Sequence, residues 1–229
     1  MHENKKSHNN SGEVVHTDKA MAYEFIKKLN GLTLWLLIAS AVAGFFIKNQ
    51  GLFSAEFGSG LLRELSFDLT RPERMGGLTL LTSFFVHFNL PHLLGNFMVL
   101  LPFGAYLERT YSKKQFAMIL AASHIFVLGC QWVLFNFTLK VGAINGNEVQ
   151  QVDGGRYLLG ASAAAYAVLV LALLKFGRFK LLGFLVIIMS FYSLSDPSFF
   201  KSHLSHAFGV IFGLIFFFIE KKLKQKKEL

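Results

Sequence analysis

Hydrophobic residues in this chain occur in long stretches and do not alternate with polar residues as they would in a half-buried β-strand. Six stretches are long enough, or nearly long enough, to cross a bilayer as helices. They are residues 29–47, 90–107, 116–135, 158–176, 179–194 and 204–219. A seventh run, residues 78–88, is too short to span. The pattern therefore predicts an all-α, polytopic membrane protein with six transmembrane helices.

A helix start signal separates the short run from the second stretch. Pro91 fits the first turn of a helix, where its missing N–H costs nothing, and Asn89 or Leu90 can occupy the capping position before it. We therefore expect the second helix to begin near residue 90. Its polar residues, His92 and Asn96, then lie in the first two turns.

Composition agrees with a membrane protein. Of the 229 residues, 53% are hydrophobic and 16% are charged, against about 25% charged in a typical soluble domain. This excludes disorder, a fibrous repeat and an ordinary cytosolic enzyme. We expect a flexible cytoplasmic tail at 1–28, a membrane domain at 29–220 and a basic cytoplasmic tail at 221–229. The single cysteine, Cys130, excludes an internal disulfide.

The distribution of the net charge of +9 sets the expected orientation. If successive helices cross the membrane in opposite directions, 16 basic residues lie on the side of the two tails and 7 lie on the other side. The acidic residues divide evenly between the two sides. The positive-inside rule then puts both termini in the cytoplasm. Charge divided among short membrane-adjacent segments argues against a nucleic-acid partner and favours contact with anionic lipid. We expect a prokaryotic plasma membrane; the sequence indicates no particular oligomeric state.

This orientation brings polar residues from three helices to the same side. The second, fourth and sixth helices all begin at the outer face, so residues in their first turns lie only about 5–10 Å below the interface. Polar residues inside spans are costly and usually functional. The polar and small residues that share a face in these first turns are His92 with Asn96, Ser162 with Tyr166, and His206 with Gly209 and Gly213.

These residue types are typical of acyl transfer. A serine such as Ser162 is a weak nucleophile until a neighbouring base takes its proton, and His206 has a pKa range suited to that task. His92 and Asn96 are suited to donate hydrogen bonds to a developing oxyanion. The pattern indicates transfer of an acyl group to water at the outer edge of the membrane, with no cofactor or metal required.

Other interpretations of the same residues stay open at this point. Ser162 is also compatible with a hydrogen bond inside its own helix, and His203 competes with His206 as the base, although the glycine stripe is in phase with His206. His87 fits a structural role between the preceding segment and the second helix. A metal site would draw on the four histidines His87, His92, His203 and His206. The carboxylate that hydrolytic metal sites usually add is missing from this set.

Three short motifs in this order resemble the rhomboid family of intramembrane serine proteases. They are HFNLPHLLGN at 87–96, GAS at 160–162 and HAFG at 206–209 followed by Gly213. The resemblance extends over about residues 29–220. Gly-x-Ser alone would be a weak signal, but the three motifs on the expected helices form a strong joint one.

The resemblance implies a six-helix rhomboid-like bundle that cleaves transmembrane protein substrates. Ser162 would be the nucleophile and His206 the base, with Tyr166 stacked on His206. His92, Asn96 and the backbone N–H of Ser162 would form the oxyanion hole, and the fifth helix would act as a gate. The supporting residues by this match are Tyr166, Gly160, Gly209, Gly213 and His87.

The chain departs from the family pattern at two places. Ala163 follows the serine where the family usually has glycine, and its methyl group would crowd the contact between the fourth and sixth helices or the approach of substrate. The Trp-Arg pair of the family's first outer loop has no counterpart among Arg71, Arg74 and their neighbours. The alternative functions are an inactive relative that binds membrane proteins and a small transporter. A transporter would place charges or broken helices near the bilayer midplane.

Overall fold

A computed structural model of the chain describes residues 31–48, 60–87, 89–144, 157–178, 180–183 and 200–226. The described chain is mostly helical. In order, its elements are α1 (Leu32–Lys48), α2 (Gly60–Leu65), β1 (Phe67–Asp68), a 3₁₀ turn (Arg74–Gly77), α3 (Thr79–Phe85), α4 (Leu90–Thr110), α5 (Lys113–Ile144), β2 (Tyr157–Leu158), α6 (Ser162–Lys175) and α7 (Phe200–Gln225).

Five of the six predicted apolar helices are present among the described residues. They are α1, α4, α5, α6 and α7, and the fifth predicted stretch lies outside the described ranges, apart from a helical turn at 180–183. Three of them, α4, α5 and α7, are long and apolar enough to cross a membrane, while α1 and α6 are shorter. The fold class is therefore that of a helical membrane protein, and the count of six spans stays a prediction.

Several helix boundaries differ from the sequence-based ones. α5 ends at Ile144 and not at residue 135, and α7 begins at Phe200 and not at residue 204. The fourth helix starts at Ser162 and not at residue 158, because Leu158 belongs to strand β2 and Gly160 has a positive φ. The sixth helix continues to Gln225, beyond the expected end of the membrane domain at residue 220. The predicted tail at 1–28 lies outside the described residues.

Helix α6 is the centre of the bundle. Its residues are buried on every face from Ser162 to Leu174, with only Tyr166 partly exposed. It packs on α4, α5 and α7. A helix that is surrounded by other apolar helices has no face toward water, and this explains why α6 lacks the polar face of a surface helix.

One end of the bundle is fixed by the carboxylate of Glu108, near the end of α4. It accepts hydrogen bonds from the backbone N–H groups of Leu32 and Thr33 and from the Thr33 hydroxyl. A helix start has backbone N–H groups without intrahelical acceptors, so Glu108 caps α1 from another helix. α1 therefore begins at the end of the bundle where α4 finishes.

A second polar cluster lies at the same end. Glu220, near the end of α7, accepts hydrogen bonds from Lys175 at 3.0 Å, from Lys224 and from the Tyr111 hydroxyl. Burial and the neighbouring carboxylate raise the pKa of Tyr111, so the hydroxyl stays protonated and donates. The ends of α4, α6 and α7 therefore meet, and these three helices run in the same direction.

Replacing Glu108 by alanine should destabilise the fold. The variant leaves two backbone N–H groups at the start of α1 without their charged acceptor, and we expect the free energy of unfolding to fall by about 1–3 kcal/mol. Glu108→Gln, which keeps one neutral acceptor, should lose less. Denaturant unfolding in detergent micelles measures both. The exposed neighbour Arg109→Ala is the control, and an equal loss there would contradict the capping role.

The described part of the connection between α1 and α4, residues 60–87, is folded and pairs with the segment before α6. β1 runs antiparallel to β2, with Phe67 opposite Leu158 and Asp68 opposite Tyr157. The guanidinium of Arg74 donates to the carbonyls of Arg63, Glu64 and Ser66, which holds the end of α2. The sequence pattern did not predict this two-stranded contact, although it ties the first connection to the residues that lead into Ser162.

Candidate active site

The start of α4 is capped as one of the two sequence-based options predicts. The side chain of Asn89 accepts a hydrogen bond from the backbone N–H of His92 at 2.8 Å, and Pro91 lies in the first turn. The cap fixes the backbone from which His92 and, one turn later, Asn96 project. Asn96 is buried and His92 is partly exposed.

His87 holds the amide of Asn96. Its Nε2 lies 2.8 Å from Nδ2 of Asn96 and 3.4 Å from the backbone N of Ala161, and its Nδ1 lies 3.1 Å from the carbonyl oxygen of Phe85. A ring with its proton on Nδ1 satisfies all three contacts, because Nε2 then accepts from both donors. The amide of Asn96 has a second N–H hydrogen that this bond does not use.

Burial of His87 keeps the imidazole neutral. Desolvation, with the nearby His92, lowers the pKa of His87 to about 4. A neutral ring is the form that accepts at Nε2, so the pKa and the hydrogen bonds agree. His87 therefore links the segment before α4, helix α4 and the residue before α6.

The stability of the protein should depend on pH through His87. Above pH 6.5 the ring is neutral in both the folded and unfolded states. Between pH 6.5 and about 4 only the unfolded state gains the proton, so stability falls as the pH falls, and the loss is complete below pH 4. Thermal unfolding from pH 7 to pH 5 should show a smaller decrease for His87→Gln, which has an acceptor but no titration. Equal pH dependence in both proteins would contradict this account.

Gly160 sits against the ring of His92. Its φ is +96°, a conformation that side-chain-bearing residues rarely adopt, and an added Cβ would lie 2.6 Å from Cε1 of His92. Its N–H donates to the carbonyl oxygen of Ser83 at 2.7 Å. Glycine is required here for both the backbone conformation and the space. The close approach places the His92 ring beside Gly160, which precedes Ser162 by two residues in the chain.

Ser162 is the first residue of α6 and is buried, with 7% of its surface exposed. The first intrahelical hydrogen bond runs from Ala165 to the carbonyl of Ala161. The N–H of Ser162 is therefore among the groups at the helix start that have no intrahelical acceptor, and the positive end of the helix dipole lies there. This is a suitable environment for an anion that forms at the serine.

Helices α6 and α7 are in direct backbone contact. An added Cβ at Gly209 would overlap the carbonyl oxygen of Ala163, and one at Gly213 would lie 2.9 Å from the carbonyl oxygen of Ala167. From the first contact to the second, the contacting residue moves four positions forward in each helix. The two helices are therefore parallel and in register. The crowding expected from the Ala163 methyl does not prevent this contact, because the opposing glycines have no side chains.

The register brings the first turn of α6 beside the second turn of α7, which contains His206. His206 lies one turn before Gly209, and its ring stacks on Tyr166 with centroids 4.2 Å apart and an angle of 26° between the planes. Ser162 lies one turn before Tyr166 on the same face. At the position of α7 that precedes His206, the Ser205 hydroxyl accepts a hydrogen bond from Gln131 of α5 at 2.9 Å. The start of α7 is thus held between α5 and α6.

Two residues that were not predicted to belong to the site hold the segment that leads into Ser162. The Ser83 hydroxyl lies 3.1 Å from Nε2 of His124 on α5, and both side chains are buried. The backbone carbonyl of Ser83 accepts from Gly160. His124 and Ser83 therefore connect α5 and α3 to the residues before Ser162. The only sequence signal was a polar pair inside apolar runs, with no indication that the two would meet.

The predicted site residues form two adjoining groups around the start of α6. His87, His92, Asn96 and Gly160 lie before it, and Tyr166, His206, Gly209 and Gly213 lie along its contact with α7. The side chain of His203, the competing base, lies outside the described part of the chain. Within that part, His, Cys, Asp and Glu side chains form no group of three or more able to hold a metal ion.

Comparison with known proteins gives one family match. The model of the Rhomboid domain matches residues 75–222, which is more than half of the chain and includes α3 to α6 and most of α7. No curated protein matches the chain.

Proposed function

The chain belongs to the rhomboid family, and from this premise we propose that it is an intramembrane serine protease that hydrolyses peptide bonds of transmembrane proteins. Family members are generally intramembrane serine proteases, although inactive members exist. The observation that supports activity here is the parallel contact of α6 and α7, which brings His206 into the turn next to Ser162. The presence of both a serine and a histidine at these two positions is what argues against an inactive relative.

Ser162 and His206 share the chemical steps. The Ser162 hydroxyl attacks the scissile carbonyl while His206 accepts its proton. His206 then gives the proton to the leaving amine, and water activated by the same ring resolves the acyl-enzyme. In this dyad the stacked ring of Tyr166 fixes the plane of the imidazole, the task that an acid performs in a triad.

The oxyanion of the tetrahedral intermediate binds between α4 and the start of α6. Asn96 offers its second amide hydrogen, His92 offers its ring and Ser162 offers its backbone N–H. His87 orients the Asn96 amide, and Gly160 sets the approach of His92. Donors held in place before the reaction stabilise the transition state without reorganisation.

The length of α6 supports a site below the membrane surface. Its 14 residues span about 21 Å, roughly 9 Å less than the hydrocarbon core of about 30 Å. Lys175 at its far end lies in the cluster with Glu220 and Tyr111, which we assign to the cytoplasmic interface along with the basic tail. Ser162 then lies within the outer half of the bilayer, where it meets transmembrane segments laterally and water from the outer face.

The proposed function is tested with the purified full chain in detergent. We expect a fluorescent alkyl fluorophosphonate to label the native protein, the heat-denatured protein to stay unlabelled, and mass spectrometry to place the adduct on the peptide that contains Ser162. The same preparation should cleave a reporter with one transmembrane segment. An adduct on a different serine would overturn the assignment of the nucleophile. Absence of both labelling and cleavage would favour the inactive, substrate-binding relative.

A further inference from the structure

A cavity of about 140 Å³ lies between α1, α3 and α5. Its wall is almost wholly apolar, and its principal lining residues are Leu36, Leu80, Phe84, Leu120, Ala121 and Ile125. The one polar side chain that lines it is His124, whose Nε2 is engaged with the Ser83 hydroxyl. A site with so few polar partners does not retain water.

The cavity opens toward the region that lipid occupies. At its edge, Leu81 and Ile125 expose 55% and 45% of their surface. α5 is apolar and long enough to span, and α1 is a shorter apolar helix beside it. His124 and Ile125 lie near the middle of the apolar part of α5, which places the opening at hydrocarbon depth. Water and polar ligands are excluded from this depth, so the ligand that the cavity fits is a hydrocarbon chain.

An empty space of this size is unfavourable even in a membrane. Atoms that line a void lose van der Waals partners, and interhelical packing in lipid depends on those contacts. A cavity of about 150 Å³ accepts a small hydrocarbon such as benzene, so this one accepts a segment of an acyl chain.

We propose that an acyl chain of a membrane lipid binds in this cavity and supports helix α3, whose residues form part of its wall. Phe84 and Phe85 form part of the wall. The carbonyl of Phe85 contacts His87, and the carbonyl of Ser83 accepts from Gly160. The helix that the lipid would support is therefore the one that positions the proposed oxyanion hole; this coupling, unlike the binding itself, rests on the proposed function.

The binding is tested by photocrosslinking in vesicles of phosphatidylcholine that carries a diazirine at the end of one acyl chain. We expect adducts on α3 residues that line the cavity, such as Phe84, mapped by mass spectrometry. Ala121→Phe fills the cavity and should lower these adducts about tenfold. Ala117→Leu, at a second lining position, should lower the adducts to a smaller extent. It replaces Ala121→Phe as the test variant if Ala121→Phe fails to fold.

Ala122→Phe is the matched control, because Ala122 is an exposed alanine on α5 that does not line the cavity. Its α3 adducts should equal those of the wild type. Adducts confined to exposed faces of the helices, or equal loss in Ala121→Phe and Ala122→Phe, would overturn the proposal. Crosslinking needs no enzymatic activity, so its result stands even if the proposed function fails.

The coupling has its own measurement. Addition of phosphatidylcholine to delipidated protein should raise the rate of fluorophosphonate labelling in the wild type and in Ala122→Phe, and should change it little in Ala121→Phe. An identical lipid response in all three proteins, combined with crosslinks in the cavity, would leave lipid binding established and would refute its coupling to the active site.

Discussion

Replacing Ser162 by alanine should reduce kcat/KM for a transmembrane substrate by about 10⁴–10⁶-fold, and His206→Ala should have nearly the same effect. The physical reason is that the two side chains act as one unit: without the base the hydroxyl stays protonated, and without the hydroxyl the base has no proton to accept. The double variant should therefore be no slower than either single one. Initial rates of reporter cleavage at several substrate concentrations measure all three.

The control for these variants is Ser123→Ala. Ser123 is a buried serine of α5 whose hydroxyl bonds only to the carbonyl of Leu120 among the contacts described, so its removal is the same chemical change away from the site. It should leave kcat/KM unchanged, and all variants should unfold at similar denaturant concentrations. Substantial cleavage by folded Ser162→Ala would remove Ser162 as the nucleophile. Additive losses in the double variant would contradict a shared step.

The helices of this protein were predictable because their signals are local. A span is visible as an uninterrupted apolar run, and the start of α4 is visible in Asn89 and Pro91. Ser162 could likewise be placed in a first turn by counting, whereas His206 lies in the second turn of α7, which begins at Phe200. The stripe of Gly209 and Gly213 predicted a close helix contact, and the structure shows that it faces backbone carbonyls of α6.

The folded connection before α4 was not predictable in the same way. β1 and β2 have two residues each and are almost ninety positions apart, so neither produces a periodic pattern. The hydrogen bond between Ser83 and His124 joins α3 to α5. These helices are too far apart along the chain for a local sequence pattern to indicate the contact. Gly160 could be read as part of a Gly-x-Ser motif, but its positive φ and its contact with His92 depend on the packed neighbours. Long-range pairing of this kind depends on tertiary packing, which a single sequence does not display.

The departure at Ala163 also has a physical explanation. At the α6–α7 contact it is the carbonyl oxygen of Ala163 that faces Gly209, and Gly209 provides the space because it has no Cβ. An alanine in place of the family's usual glycine is therefore compatible with close approach of the two helices. The Ala163 methyl group is itself buried in the bundle, so Ala163→Gly tests what a packed methyl group beside Ser162 does to substrate range.

Asn96→Ala should lower kcat by about 10²–10³-fold and leave KM nearly unchanged. The amide donates one hydrogen to His87, and its second hydrogen is the one we assign to the oxyanion. Because that charge exists only in the transition state, loss of the donor slows the chemical step without weakening substrate binding. Fluorophosphonate labelling should slow in parallel, since attack on phosphorus also develops a negative oxygen.

A structural role for Asn96 would give a different result. If the amide only supported His87, the variant would lose stability, and kcat and KM would change together. Asn136→Ala is the matched control, because Asn136 is a second asparagine on an apolar helix whose amide donates to the carbonyl of Trp132. It should have wild-type kcat. A folded Asn96→Ala variant with wild-type kcat would remove Asn96 from the oxyanion hole and leave His92 and the N–H of Ser162 as its donors.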